Sequence, residues 1–335
     1  MNAVKQRIEW VDVGKYVCIM FVMLSHLESG TEGLEKFYTP FFLSVFFFLS
    51  GYVYRQPASF RAHIAKKARG LLVPWFVFST GSLLLSRFAN YDPSVNYLAR
   101  FGWNLAQIRG MGDEIWFVTA LFVAYIPFYF FVKWNRPGWA LGVMTALCWL
   151  SLVYCSEMPP LPWGRNALPW HLEFVFQAGL WMLLGYQFRQ YWEKGFDKYN
   201  TILLRAGLWA VYLLLVYWPE AGRLQRHWRM FSVLVSLVGI LAVVSICKVV
   251  RSSRYMRFVG ANTLIYFALH GWVYASVELV LKIFAGGFYQ ACLASPWASN
   301  LLAVGITLVV SVLLMVPAVI INRWFPWMLG KWRTA

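Results

Sequence analysis

The chain has 335 residues, of which 60% are hydrophobic, 19% aromatic and only 13% charged. A soluble domain of ordinary composition carries about twice that charged share, so a water-soluble globular protein is excluded and a polytopic membrane protein is implied. The net charge of +16 does not mark a nucleic-acid binder, because the Lys and Arg residues fall in short segments between apolar runs, where they set membrane orientation.

Windows of about twenty residues give ten expected spans: 11–28, 37–54, 70–88, 113–133, 138–156, 171–189, 201–218, 230–250, 258–281 and 300–322. The first holds Asp12 and Lys15 and has no small-residue cleavage site before Glu28, so it reads as a span and not as a cleaved leader. Between the third and fourth, Val95, Leu98, Phe101, Leu105 and Ile108 recur at helical spacing, the pattern of an amphipathic helix on the membrane surface. Asp113 and Glu114 open the fourth span and suit its N-terminal dipole. Trp116 beside them reads as an interfacial anchor. Glu173 and Glu278 fall inside later spans, whereas His63 and His227 read as solvated loop residues. Cys18, Cys148, Cys155, Cys247 and Cys292 lie in or beside apolar runs without a CxxC spacing, which suggests neither a metal site nor a disulfide framework. They read as core fillers. The expected fold is an all-α polytopic membrane protein: one integral-membrane domain over 1–335 with no soluble extracytoplasmic domain.

With the N-terminus inside, the inner segments hold 20 Lys and Arg residues and the outer segments 9, which puts both termini in the cytoplasm. The outer segment "RLQRHWR" (223–229) runs against this rule, either as a tolerated exception or as a basic surface facing an anionic substrate. No internal repeat is visible, which weighs against transporters built from paired halves.

The first span carries a polar stripe. Lys15 and His26 are eleven residues apart, which at about 100° per residue leaves both on one face to within ~20°. Asp12 lies three residues before Lys15 on that face, within reach of an ion pair. About 16 Å of axial rise separates Lys15 from His26. The residues alone leave two readings open. Asp12, Lys15 and His26 could mark the two membrane interfaces, or they could line a site.

The segment "RIEWVDVGKYVCIMFVMLSH" (7–26) resembles the first helix of the acyltransferase-3 family, bacterial membrane enzymes that acylate carbohydrates. That family has a basic residue eleven positions before a histidine, as Lys15 stands before His26, and an acidic residue at the place of Asp12. The likeness continues in order through "PFFLSVFFFLSGYVY" (40–54), "KKARGLLVPWF" (66–76), "IWFVTALFVAY" (115–125), "LPWHLEFVFQAGLWMLLGY" (168–186) and "NTLIYFALHGWVY" (262–274). Two departures stand out. The four-residue basic motif reads Lys66-Lys67-Ala68-Arg69 where the family often has Arg at both ends, and Lys15 replaces a common Arg. Lys keeps the charge and loses the planar fork that grips phosphate.

The resemblance implies transfer of an acetyl or similar short acyl group from acetyl-CoA or another acyl-CoA, with no bound cofactor and no metal, to a hydroxyl of a surface or lipid-linked glycan. It implies an enzyme of the bacterial inner membrane. His26 is then the expected general base, with Lys15 and Asp12 beside the donor's path. Lys66 and Arg69 are expected to hold the acyl-CoA phosphates, and His270 and Glu173 are further candidates. The rival reading is a transporter of lipid-linked sugars or anions that uses the stripe of the first span as its pathway. A third, a structural or partner-binding membrane protein, leaves the stripe unexplained. No His-x4-Asp, GxxxxGK[ST], HExxH or GxSxG motif points to another chemistry.

Overall fold

A computed structural model describes residues 7–27, 33–89, 92–112, 115–157, 159–164 and 166–331. Asp113, Glu114 and the His227 side chain lie outside the described residues. The protein is 80% helical with no strand among the described residues, as expected where lipid offers the backbone no hydrogen bonds.

In chain order the helices are Glu9–Leu24 (α1), Leu34–Tyr38 (α2), Phe42–Tyr52 (α3), Phe60–Ala89 (α4), Tyr97–Ala106 (α5), Trp116–Lys133 (α6) and Pro137–Glu157 (α7). Then come Val175–Gln187 (α8), Glu193–Tyr199 (α9), Ile202–Tyr217 (α10), Ala221–His227 (α11), Met230–Cys247 (α12) and Arg254–Ala261 (α13). Thr263–Phe284 (α14), Gly286–Leu293 (α15), Pro296–Leu313 (α16) and Met315–Trp324 (α17) complete the set.

Every expected span overlaps helix among the described residues, but the count of ten is not confirmed. Among the described residues six helices are long and apolar enough to cross a membrane: Phe60–Phe88, Trp116–Lys133, Pro137–Glu157, Met230–Cys247, Thr263–Phe284 and Pro296–Trp324. A seventh is added if Pro169–Tyr199 and Ile202–Tyr217, bent by 110°, count as one broken span. The shortfall has a local cause. A span needs about twenty residues, whereas α1 has 16 and α3 has 11. The expected run 37–54 is broken at Thr39-Pro40 into α2 and α3, because proline cannot donate to the helix ladder.

The chain divides into two compact units. One comprises Met1–Leu49 with Trp192–Ala318, the other Ser50–Tyr191 with Val319–Ala335. In the first, α1 packs on α12, α13, α14 and α16. A Cβ on Gly260 of α13 would lie 2.4 Å from the Asp12 carbonyl oxygen, so only glycine permits this approach. Phe21 stacks on Tyr38 at 5.2 Å between ring centres, and Phe37 stacks on Trp209 at 5.7 Å. Lys248, its side chain 8% exposed, bonds Glu193 at 2.6 Å and Asp197 at 2.9 Å. Leu214, Leu279, Ile283, Leu301 and Val312 are exposed, the apolar exterior that a lipid solvent calls for.

In the second unit α4 runs for 30 residues and packs on α6, while α8 packs on both α6 and α7. α4 starts at Phe60 and not at 70. The expected amphipathic helix is present as α5, with Leu98 and Leu105 exposed. Its inner side is polar. Buried Asn104 donates to Ser79 at 3.0 Å, buried Gln107 donates to Asn104 Oδ1 at 3.2 Å, and Thr119 donates to Gln107 Oε1 at 2.9 Å.

Candidate functional site

His26 follows the last turn of α1, and its Nδ1 lies 2.8 Å from the Val22 carbonyl oxygen. The Ser25 hydroxyl donates to the same oxygen at 2.8 Å. His270, buried in α14, has its Nδ1 at 2.8 Å from the Phe267 carbonyl and 3.2 Å from that of Tyr266. The two imidazoles meet edge to face, with ring centres 4.9 Å apart at 72°. A carbonyl can only accept, so both Nδ1 atoms carry a proton, and in the neutral ring Nε2 is the nitrogen with the lone pair. His26 is exposed, so its Nε2 is the basic nitrogen a substrate can reach.

Tyr266, His270, Tyr274 and Glu278 recur every fourth residue of α14 and are all buried. This spacing stacks them on one side of the helix. Tyr266 donates to the Ser311 carbonyl at 2.9 Å, and the Tyr274 and Thr307 hydroxyls meet at 2.7 Å. Glu278 Oε2 is 3.8 Å from Lys282. The histidine pair therefore stands in a column of polar groups and not as an isolated polar defect.

At the start of α1, Asp12 is buried and its carboxylate is bonded by Arg7, a residue just before the helix. Arg7 also donates to the Arg257 carbonyl at 2.5 Å, and Ser252 donates to Glu9 at 2.6 Å. Lys15 is half-buried one turn further on. The acidic residue of the stripe thus has its ion partner outside the span, where helical periodicity could not find it.

The second unit holds the remaining candidates. Lys66 and Arg69 are exposed on the first turns of α4. Gly330, at φ 65°, ends a short 3-10 turn, Pro326–Leu329, that packs on α4. A Cβ there would lie 1.9 Å from the Arg69 carbonyl oxygen. Lys67, between the two exposed cations, is half-buried with its ammonium 3.5 Å from the centre of the Tyr125 ring. The expectation that His63 is a solvated loop residue is wrong. It lies in α4, 3% exposed, with Tyr129 stacked on it at 5.4 Å. Helix residues from 60 onwards carry the apolar and aromatic contacts that hold this turn in place.

Glu173 is half-buried. One oxygen accepts the Leu168 N–H at 2.9 Å and the other lies 3.8 Å from His171 Nδ1. Trp170 and His171 are both left-handed, with φ of 57° and 54°, which costs non-glycine residues free energy. The Trp170 ring rests against Trp75 at 5.6 Å, and the His171 ring against Trp116 at 5.1 Å. Reading the sequence pointed to Glu173 but missed its partner His171, because a strained backbone pair leaves no periodic signal.

The family model described as an acyltransferase domain, that of the acyltransferase-3 family, matches residues 8–316, a stretch that runs across both units. No curated protein and no solved structure matches the chain.

Proposed function

Because the chain belongs to the acyltransferase-3 family, we propose that this membrane acyltransferase moves an acetyl or similar short acyl group from cytoplasmic acyl-CoA to a hydroxyl of a cell-surface or lipid-linked glycan. The observation that carries the reading is the His26 imidazole: exposed, its Nδ1 proton held by Val22, its Nε2 lone pair available, its ring braced by His270.

A sugar hydroxyl is too weak an acid to attack a thioester unaided, and an imidazole within reach takes its proton in the transition state. His26 Nε2 accepts that proton as the hydroxyl oxygen bonds to the acyl carbon. The carbon–sulfur bond then breaks, and the imidazolium returns the proton to the departing CoA thiolate. Atoms and charge balance without a metal or a bound cofactor. His270 acts as a positioning residue through the ring contact. Lys66 and Arg69 supply the cations that would hold the phosphates of the donor. Asp12, fixed by Arg7, and Lys15 set the charge along the face of α1 below His26. The setting is the inner membrane with both termini cytoplasmic, so that donor and acceptor arrive from opposite sides.

The test is transfer of label from radiolabelled acetyl-CoA to bacterial cell-envelope glycans by purified protein in proteoliposomes. His26→Ala should lower kcat/KM by about a hundred- to ten-thousandfold with no change in thermal unfolding. Equal labelling by the variant removes His26 from the mechanism. Sugar flux across the vesicle without label transfer would favour a transporter.

A further inference from the structure

Among the polar atoms of the second unit that are buried with no hydrogen-bond partner among the described residues are Nε2 of His63 and the hydroxyl oxygen of Tyr54. They belong to one aromatic cage. The His63 and Tyr54 rings are 5.5 Å apart at 85°. Tyr125 and Tyr129 flank His63 at 5.6 and 5.4 Å, and Tyr186 flanks Tyr54 at 6.1 Å. Buried polar groups in native proteins are almost always paired, so each exception calls for an explanation. Two orphans in one cage call for one that serves both.

Their chemistry is complementary. The His63 ring is hydrogen-bonded to the Tyr125 backbone, which puts the ring proton on Nδ1 and leaves Nε2 as an acceptor. A phenol hydroxyl donates. The cage thus presents one acceptor and one donor between apolar ring faces. A secondary amide offers the reverse: an N–H to donate, a carbonyl to accept, and a flat apolar body. A phosphate or carboxylate offers no proton to His63, and a hydrocarbon satisfies neither atom.

We propose that Tyr54 and His63 form a subsite for a secondary amide and that its occupant is the pantetheine arm of the acyl donor, whose two amide groups separate the thioester from the nucleotide. This rests on the acyl-CoA reading above. Lys66 and Arg69 follow His63 by about one and two turns of α4, or ~4.5 and ~9 Å of axial rise. Exposed cations for phosphate therefore lie next to a buried cage for amide. Tyr54 stands on the irregular stretch between α3 and α4, so its ring can be re-seated around a ligand without breaking a helix.

Three probes separate the parts: acetyl-CoA, acetyl-pantetheine (amides without the nucleotide) and adenosine 3′,5′-bisphosphate (phosphates without amides). Their affinities for purified protein in nanodiscs would be measured by titration calorimetry. Tyr54→Phe and His63→Phe should each weaken acetyl-CoA and acetyl-pantetheine by about three- to tenfold, the worth of one hydrogen bond. Binding of the bisphosphate should be unchanged, which also reports that the variants are folded. Lys66→Ala with Arg69→Ala should weaken acetyl-CoA and the bisphosphate and spare acetyl-pantetheine. Equal affinity of both cage variants and wild type for acetyl-pantetheine overturns the amide subsite and leaves water as the partner of the two atoms. Failure of wild type to bind acetyl-CoA overturns the donor reading itself, and the subsite with it.

Discussion

Gly330 and Gly70 both adjoin the basic turn of α4, and they should respond to alanine in opposite ways. Gly330 is left-handed, and a Cβ there would sit 1.9 Å from the Arg69 carbonyl oxygen. Gly330→Ala combines left-handed strain of about 1–2 kcal/mol with a steric push on the residue expected to hold donor phosphate. It should lower the unfolding temperature and raise KM for acetyl-CoA with kcat little changed. Gly70 has nothing within 4 Å of its Cβ position, so Gly70→Ala should gain up to about 1 kcal/mol from helix propensity. Thermal unfolding and initial rates on the two variants check the contrast; equal behaviour would mean that the 3-10 turn does not brace Arg69. At this scale the sequence was legible where polar groups recur on the helical period. The eleven-residue step from Lys15 to His26 leads to a histidine that the fold sets against His270. It was illegible where a partner lies off the helix, as with Arg7 on Asp12, or where backbone strain brings groups together, as at His171 and Glu173.

The short helix α5 makes the corresponding case among elements. Its apolar residues recur with the right period, yet Leu98 and Leu105 are turned outward while Asn104 and Gln107 are buried. In a lipid solvent the polar side of such a helix is the one that seeks the protein. Gln107→Leu removes a donor to Asn104 and the acceptor of Thr119, and should cost about 1–3 kcal/mol. That would be read as a fall of several degrees in unfolding temperature in detergent, while Leu98→Ala, at an 81% exposed position, should change little. Comparable losses in both would put the apolar face inside. The ten expected spans located helices well and their limits poorly. Hydropathy windows average over Thr39-Pro40, and they start α4 only where the basic residues end. The helix itself continues back to Phe60 because aromatic contacts, invisible to a hydropathy sum, hold it there.

For the whole molecule, the composition alone leads to an all-helical membrane protein, and the family match spans 8–316. Orientation is open to direct test. A fluorescent reporter fused after residue 335 should light up, since it folds in the cytoplasm. Alkaline phosphatase fused at Glu220 should be active and at Lys194 inactive. The reverse pattern would invert the reading of the basic segments. The length of α4 bears on what happens at that inner surface. Thirty residues make a rod of about 45 Å, against a hydrocarbon layer of about 30 Å. The surplus of ~15 Å matches Phe60–Arg69, so the basic turn stands at the level of the lipid headgroups. On the proposed reading, a nucleotide arriving there would meet cations that anionic lipids also want. Membrane surface charge would then compete with the donor, and the lipid mixture would set the apparent affinity as surely as any side chain.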